Sequence, residues 1–464
     1  MNILQQELHF QYSLRNSMRS VQFLDCRIYG ENALSFGKPI LNGLRVQKYN
    51  FFPYWPKIFF CMYRIFITFA IIENIIIAFI IIRIILKTSN MNNPFVISRS
   101  IPEELFCDRK EETAFLIKQV QNGRNVVLVS PRRMGKTGLI HHLFQQKEIQ
   151  EHYYTFFVDI YSATTLQEMS YILGKAVFEQ LKSTRERNWE AFFQTIKSLR
   201  MGFKVDSISG EPKLELGIGA IEDPAVTLEE IFQYLEAAKR PCLLALDEFQ
   251  QIAEFQEKRV EALLRGMIQG CSNTSFLFSG SKQHTISQMF HTKARPFYQS
   301  AQLMDLRPIA EDVYADFASR LFEQKGKRIE REAVELVYDE YRGTTWYLQM
   351  MMNELFALTD EGAVCTSAML PVAEQNILEV QEGSYRMQLN LLSPKQKHLL
   401  QAIAREGSVK SPTAGAFIKK HSLDSASSVQ SALRSLEGKE IVSATDNGYC
   451  ISDLFLGRWM RMNY

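Results

Sequence analysis

The sequence predicts an α/β protein with a parallel sheet, a helical lid and a small winged helix at the C-terminal end. Five short apolar runs, residues 125–129, 154–160, 242–246, 275–279 and 302–306, are separated by helical segments, the pattern of a parallel sheet covered on both faces. Beyond residue 306 apolar side chains recur at three and four spacing, which is helical. Near the end, Asp446-Asn447-Gly448 sits between the short runs 441–444 and 449–451, a strong hairpin signal.

Bulk composition frames these elements. A chain of 464 residues has room for about two to four folding units. Hydrophobic residues at 46% and charged residues at 22% fit a globular protein better than a disordered one. The net charge of +2 leaves any nucleic-acid contact to a local basic patch. Seven scattered cysteines with no CxxC pair argue against a zinc knuckle or a disulfide framework and for a reducing compartment. The eight histidines include the neighbours His141 and His142 but no HExxH, and no His/Cys cluster has metal-ligand spacing, so no transition metal is expected.

Residues 1–90 differ from the rest. Ile and Phe dominate residues 58–86, a run longer than the ~20 residues that span a bilayer, and Glu73 and Asn74 interrupt it. On an insertion scale the apolar residues outweigh the central acid. Lys57 and Arg64 on one side and Arg83 and Lys87 on the other show no positive-inside asymmetry. Two readings stand side by side: a transmembrane anchor, or translated AT-rich sequence ahead of a true start at Met91.

The α/β pattern begins at residue 100. Ala114, Leu116, Ile117 and Val120 give helix periodicity ahead of the 125–129 strand, and a further helix is expected over 135–146. Alternation at Phe203 and Val205, then at Leu214, Leu216 and Ile218, predicts a hairpin inserted between sheet elements. Helices at 311–323, 330–341 and 346–358 make the lid. Residues 393–464 run helix, helix, helix and two strands, which reads as a winged helix. The expected domains are therefore 1–90, a core at 91–307, a lid at 308–390 and a winged helix at 391–464.

The chemistry lies at the ends of two strands. A triphosphate needs backbone N–H donors at a helix N-terminus, a mobile cation for its outer phosphates and a hydroxyl that holds magnesium. Ser130-Pro131-Arg132-Arg133-Met134-Gly135-Lys136-Thr137 supplies all three after a buried strand. Gly135 lets the backbone approach the phosphates, Lys136 reaches the β and γ groups, and Thr137 is the expected magnesium ligand. Ser130 stands where the GxxxxGK[ST] pattern has glycine. Downstream, residues 242–248 form a buried strand ending in Asp247, suited to hold magnesium through water, and Glu248, suited to orient or deprotonate an attacking water. Separately, these are a strand-to-helix turn and an acidic strand end; together they predict a P-loop NTPase sheet. No NKxD-like motif points to GTP, and Glu248 suits hydrolysis better than transfer to a small acceptor, so ATP and Mg2+ are the expected cofactors. ATP puts the main body in the cytoplasm, and an anchor at 58–86 would leave its C-terminal end there.

With these residues in view, the chain resembles the archaeal-type ATPase family, related to the AAA+ and STAND groups. The resemblance rests on Phe106-Cys107-Asp108-Arg109-Lys110-Glu111-Glu112, on residues 129–137, on Leu246-Asp247-Glu248-Phe249-Gln250 and on Phe278-Ser279-Gly280-Ser281, and it runs from about Asn92 to the C-terminus. It implies an ATPase core, a lid and a C-terminal winged helix, with the Asp108-Arg109 box near the adenine and Ser279 or Ser281 as a polar sensor. Two positions depart from the family. Pro296-Phe297-Tyr298-Gln299-Ser300-Ala301 puts Ser300 where the family often has an arginine, and Arg295 just upstream is either its substitute or a surface arginine. The lid's usual Gly-x-Pro is Gly343-Thr344-Thr345, and the following Trp346 and Tyr347 read as lid core rather than a base-stacking platform.

Two classes of function follow. ATP binding and hydrolysis would switch the lid and winged helix between two arrangements, altering affinity for a protein or DNA partner; or the chain is a nucleotide-dependent scaffold or DNA-associated regulator with little turnover. The third winged-helix segment, 425–436, offers Ser425, Ser427, Ser428, Gln430 and Ser431, with charge only from Arg434, Lys439 and the preceding Lys419 and Lys420. So sparse a basic surface predicts weak DNA binding, with intramolecular packing or protein contact as the competing use.

Overall fold

The computed structural model describes residues 93–97, 101–183, 195–196, 198, 203–205, 212–214, 221–445 and 447–464. All belong to one compact unit, Lys87–Tyr464. The Ile-rich run 58–86, with Leu216 and Ile218, lies outside the described residues. Among the described residues no helix is long and apolar enough to cross a membrane.

The central sheet is made by Val126–Val129 (β1), Tyr154–Asp159 (β2), Cys242–Asp247 (β3), Thr274–Gly280 (β4) and Gln302–Asp305 (β5). Every residue of β1, β3 and β4 is buried, as the interior of a two-sided sheet requires. β2 and β5, with half-buried and exposed positions, form the edges. The order is β2-β3-β4-β1-β5 and all neighbours are parallel.

Alternate residues of each strand face opposite sides. Val126, Leu128, Leu243, Ala245 and Leu277 pack on Lys110–Gln121 (α1), Lys136–Gln145 (α2) and Lys147–His152 (α3) through Leu116, Leu139, Leu143 and Ile149. Val127, Val129, Leu244, Leu246, Phe276 and Phe278 face the other layer, formed by Leu166–Ser183 (α4), Pro224–Glu236 (α5), Val260–Gly270 (α6) and Gln283–His291 (α7). Because two strands, β3 and β4, lie between β2 and β1, the chain leaves β1 across a gap in the order. The carboxyl ends of β1, β4 and β3 therefore open on one crevice, the usual place for a ligand in such sheets. The expected hairpin is present as Phe203–Val205 and Pro212–Leu214, antiparallel with Phe203 opposite Leu214.

The lid comprises Glu311–Glu323 (α8), Arg331–Glu340 (α9), Thr345–Leu358 (α10) and Leu370–Asn390 (α11). The winged helix follows as Pro394–Glu406 (α12), Gly415–Lys420 (α13), Ala426–Gly438 (α14), Val442–Thr445 (β6) and Gly448–Ile451 (β7). Gly448 has φ +112°, and a Cβ there would meet the Val409 carbonyl oxygen at 2.5 Å, where Val409 bridges to Tyr449. Only glycine serves at that point.

The chain then adds a helix that the sequence reading omitted, Leu454–Asn463 (α15), whose N-cap Asp453 accepts from the N–H groups of Phe455 and Leu456. Its buried residues Phe455, Leu456, Trp459 and Met460 join Tyr347, Leu348, Leu399 and Leu433 in a single cluster. Lid and winged helix thus share one core, and the line at 390/391 falls between α11 and α12 without dividing two cores.

Candidate functional site

The loop after β1 is shaped by two left-handed residues, Arg133 at φ 70° and Gly135 at φ 92°. Gly135 caps α2 and leaves the helix's first N–H groups facing the crevice. Lys136 is only 6% exposed, and its Nζ donates to the carbonyls of Ser130 (2.8 Å) and Pro131 (3.1 Å) and to Ser130 Oγ (3.3 Å). Burial lowers its pKa, against the opposing pull of Glu248 and Asp247. Ser130, the departure from the glycine pattern, thereby supplies an additional acceptor for that ammonium.

The two acids at the end of β3 are positioned separately. Asp247, 5% exposed, accepts from Thr137 Oγ1 at 2.8 Å through Oδ2, and from Ser279 Oγ and the Glu248 N–H (3.1 Å) through Oδ1. Glu248 turns into the left-handed region at φ 56°. Its Oε2 accepts from Gln250 Nε2 (2.5 Å), Ser281 Oγ (2.8 Å) and the Ser281 N–H (3.2 Å). Loop and acids line a cavity of about 750 Å³, within the range of small-molecule sites. Asp159, paired in register with Asp247 at the end of β2, also lines it; burial and then Asp247 and Glu248 push its pKa up, while the Tyr161 N–H pulls it down.

The remaining lining is different in kind: Val96, Ile97 and Ile101 supply apolar surface, with His141, Trp346 and Gln349 beside them. His141 packs against Phe157 at 4.6 Å, and burial lowers its pKa, so the imidazole is neutral near pH 7.

Lid and winged helix both rest on the loop. The Trp346 N–H donates to the Arg133 carbonyl (3.0 Å) and Thr345 Oγ1 to the Met134 carbonyl (3.3 Å). The Arg133 guanidinium donates to Tyr347 Oη and to Asp453 Oδ2 (3.0 Å), and lies over the Trp346 ring at 4.3 Å. Arg132 pairs with Glu440 at 2.5 Å and donates to Ser281 Oγ at 3.3 Å.

Residues 130–137, Asp247, Glu248, Ser279 and Ser281 are thus brought together at one end of the sheet. Asp108 and Arg109 are not in the lining: they open α1 in left-handed conformations, and Arg109, 4% exposed, pairs with Glu112 at 2.7 Å. Arg295 pairs with Glu261, Ser300 Oγ donates to the Phe297 carbonyl at 2.7 Å, and neither residue lines the cavity. Tyr347 is lid core, as expected, whereas Trp346 also lines the cavity. Val96, Ile97 and Gln349 were not anticipated; a short apolar run and one lid glutamine carry no local signal of a site. On the winged helix, Lys420 and His421 are both engaged by Glu406, at 2.6 and 2.8 Å.

Residues 106–351 match the family model described as "ATPase domain predominantly from Archaea", and residues 383–462 match one described as "Probable winged helix domain". No curated protein matches. Among solved structures, the Walker-type ATPase PABY2304 of Pyrococcus abyssi is similar, with 18% identity and a TM-score of 0.56 over 79% of this chain and 99% of that one. The ORC2 protein of Aeropyrum pernix, in its ADPNP-ADP complexes, has 14% identity and a TM-score of 0.48 over 80% of this chain and 98% of that one.

Proposed function

The chain belongs to the family of ATPase domains found predominantly in Archaea, and on that premise we propose that it uses Mg-ATP binding and hydrolysis to change how its lid and winged helix are held, acting on a protein or DNA partner. The residues present fit the two cofactors. The N-terminus of α2 offers N–H donors to phosphate. Lys136, held by neutral carbonyls and a hydroxyl, exchanges these for charged phosphate oxygens. Thr137 and Asp247, already 2.8 Å apart, form the two-residue cradle for magnesium. Bound Mg2+ would offset charge on the outer phosphates. Glu248 is the residue to orient the attacking water once Ser281 and Gln250 release it, and Ser281, which touches both Glu248 and Arg132, is the better placed of the two serines to act as sensor.

One observation carries the switch: the loop that would receive phosphates is also what grips the moving parts. Arg132 and Arg133 face Glu440 and Asp453 of the winged helix. Phosphate competes with those carboxylates for the same guanidinium groups, so binding energy at the loop is transmitted to the winged helix.

The alternative, a nucleotide-dependent scaffold with little turnover, is favoured by the hydrogen bonds that hold Glu248 Oε2. Steady-state hydrolysis on the full chain separates the two. The switch requires Lys136→Ala to lose ATP binding, and Glu248→Gln to keep binding while losing at least ~100-fold in kcat. Wild-type turnover equal to that of Glu248→Gln would leave the scaffold.

A further inference from the structure

We propose that Gln349 of α10 reads the edge of the nucleotide's base, donating its Nε2–H to a ring nitrogen of a purine. The inference rests on the nucleotide site proposed above and names a residue that no motif assigns.

Tyr314 on α8 is 0% exposed, and its hydroxyl has one side-chain partner among the described residues, Gln349 Oε1 at 3.1 Å. A buried phenol with one neighbour must donate to it, because an orphaned O–H in that position is costly. The carbonyl end of the Gln349 amide is therefore fixed toward Tyr314. The amide's other end, Nε2, has no hydrogen-bond partner among the described residues. Gln349 is 7% exposed, and it lines the cavity. A donor that opens on the cavity without a protein partner is free to take an acceptor from the ligand.

The surroundings identify that acceptor's class. Val96 and Ile97 present apolar surface to the cavity and are held there by the lid helix itself. One turn beyond Gln349, Asn353 donates through Nδ2 to the Phe95 carbonyl, and its own carbonyl accepts from Asn93 Nδ2, both at 2.7 Å. Phe95, 0% exposed, anchors the segment among Phe317, Phe322 and Phe356. One helix thus supplies the polar donor and fixes the apolar wall. Apolar faces beside an unpartnered amide donor suit a flat heteroaromatic ring that presents a lone pair at its edge, and a purine does so at N1, N3 or N7. The donor senses that lone pair and not the exocyclic amino group.

Calorimetric titration of the full chain tests this with ATP, tripolyphosphate and the 1-, 3- and 7-deaza analogues of ATP. The test variant is Tyr314→Phe/Gln349→Met, which removes both partners and leaves no buried hydroxyl orphaned; Gln349→Glu, which faces the base with an acceptor, is the second. Both are expected to bind ATP about tenfold more weakly or worse, with tripolyphosphate affinity unchanged. One deaza analogue should show the same loss on the wild type and none on the double variant. ATP affinity unchanged in both variants, equal losses for ATP and tripolyphosphate, or a wild type indifferent to all three analogues each overturns the proposal. Wild-type protein binding neither ATP nor tripolyphosphate would overturn the nucleotide site itself, a separate result.

Discussion

Ser130 illustrates how much of a phosphate-type loop survives a change of residue. The glycine of the pattern is replaced, yet the serine is fully buried, and its hydroxyl turns toward Lys136. Lys136, Thr137, Asp247 and Glu248 were legible in the sequence because their chemistry is local: each follows a buried strand at a fixed offset. Gln349 was not legible, because its meaning depends on Tyr314 and on a wall formed by residues some 250 positions earlier, as the Phe95–Asn353 separation of 258 shows. Two neighbouring groups carry a pH signature. Burial lowers the pKa of both His141 and His142 from 6.5. The unfolded chain therefore takes up protons more readily, so stability present above pH 6.5 is lost as pH falls below it. Thermal melting in steps between about pH 5 and 7 should show that decline, and the double variant His141→Gln/His142→Gln should flatten it.

Among the elements, the sheet was legible to within one residue at each strand end, since short buried runs between helical segments have few other interpretations. The hairpin at 203–214 was legible from alternation. What escaped were α11 and α15; the partners of α15, Tyr347, Leu399 and Leu433, belong to three other helices and no short-range pattern announces them. Segment 93–97 escaped for the same reason. Only the structure shows that it is a strap on α10, with Phe95 as its plug. Phe95→Ala should cost about 3–5 kcal/mol in chemical denaturation, the range for emptying a buried aromatic site. A change within ±0.5 kcal/mol, the scale of ordinary surface substitutions, would show that the plug bears no weight.

For the whole molecule, the shared core of lid and winged helix means that the two move as one body when they move at all. On the proposed switch, the joint that would flex is then the stretch between β5 and α8, residues 306–310, and not the 391–393 connection. Arg133→Ala removes the contact to Asp453, and limited proteolysis should find new cleavage at 306–310 with none added at 391–393. Saturating ATP should have the same effect on wild-type protein. Cleavage first at 391–393 would show the two parts separating, contrary to their common packing.

The position of Trp346 would make the proposed motion visible. Its indole lies beneath a guanidinium, one of only four tryptophans in the chain, on the helix that closes the cavity. Drawing the cation away alters the electric field on the ring and therefore the colour and yield of its emission. The protein carries its own optical gauge, and a label-free fluorescence titration with ATP should report the rearrangement as it occurs. The signal should vanish in Trp346→Phe and survive in Glu248→Gln, which separates the seating of the nucleotide from its breakdown.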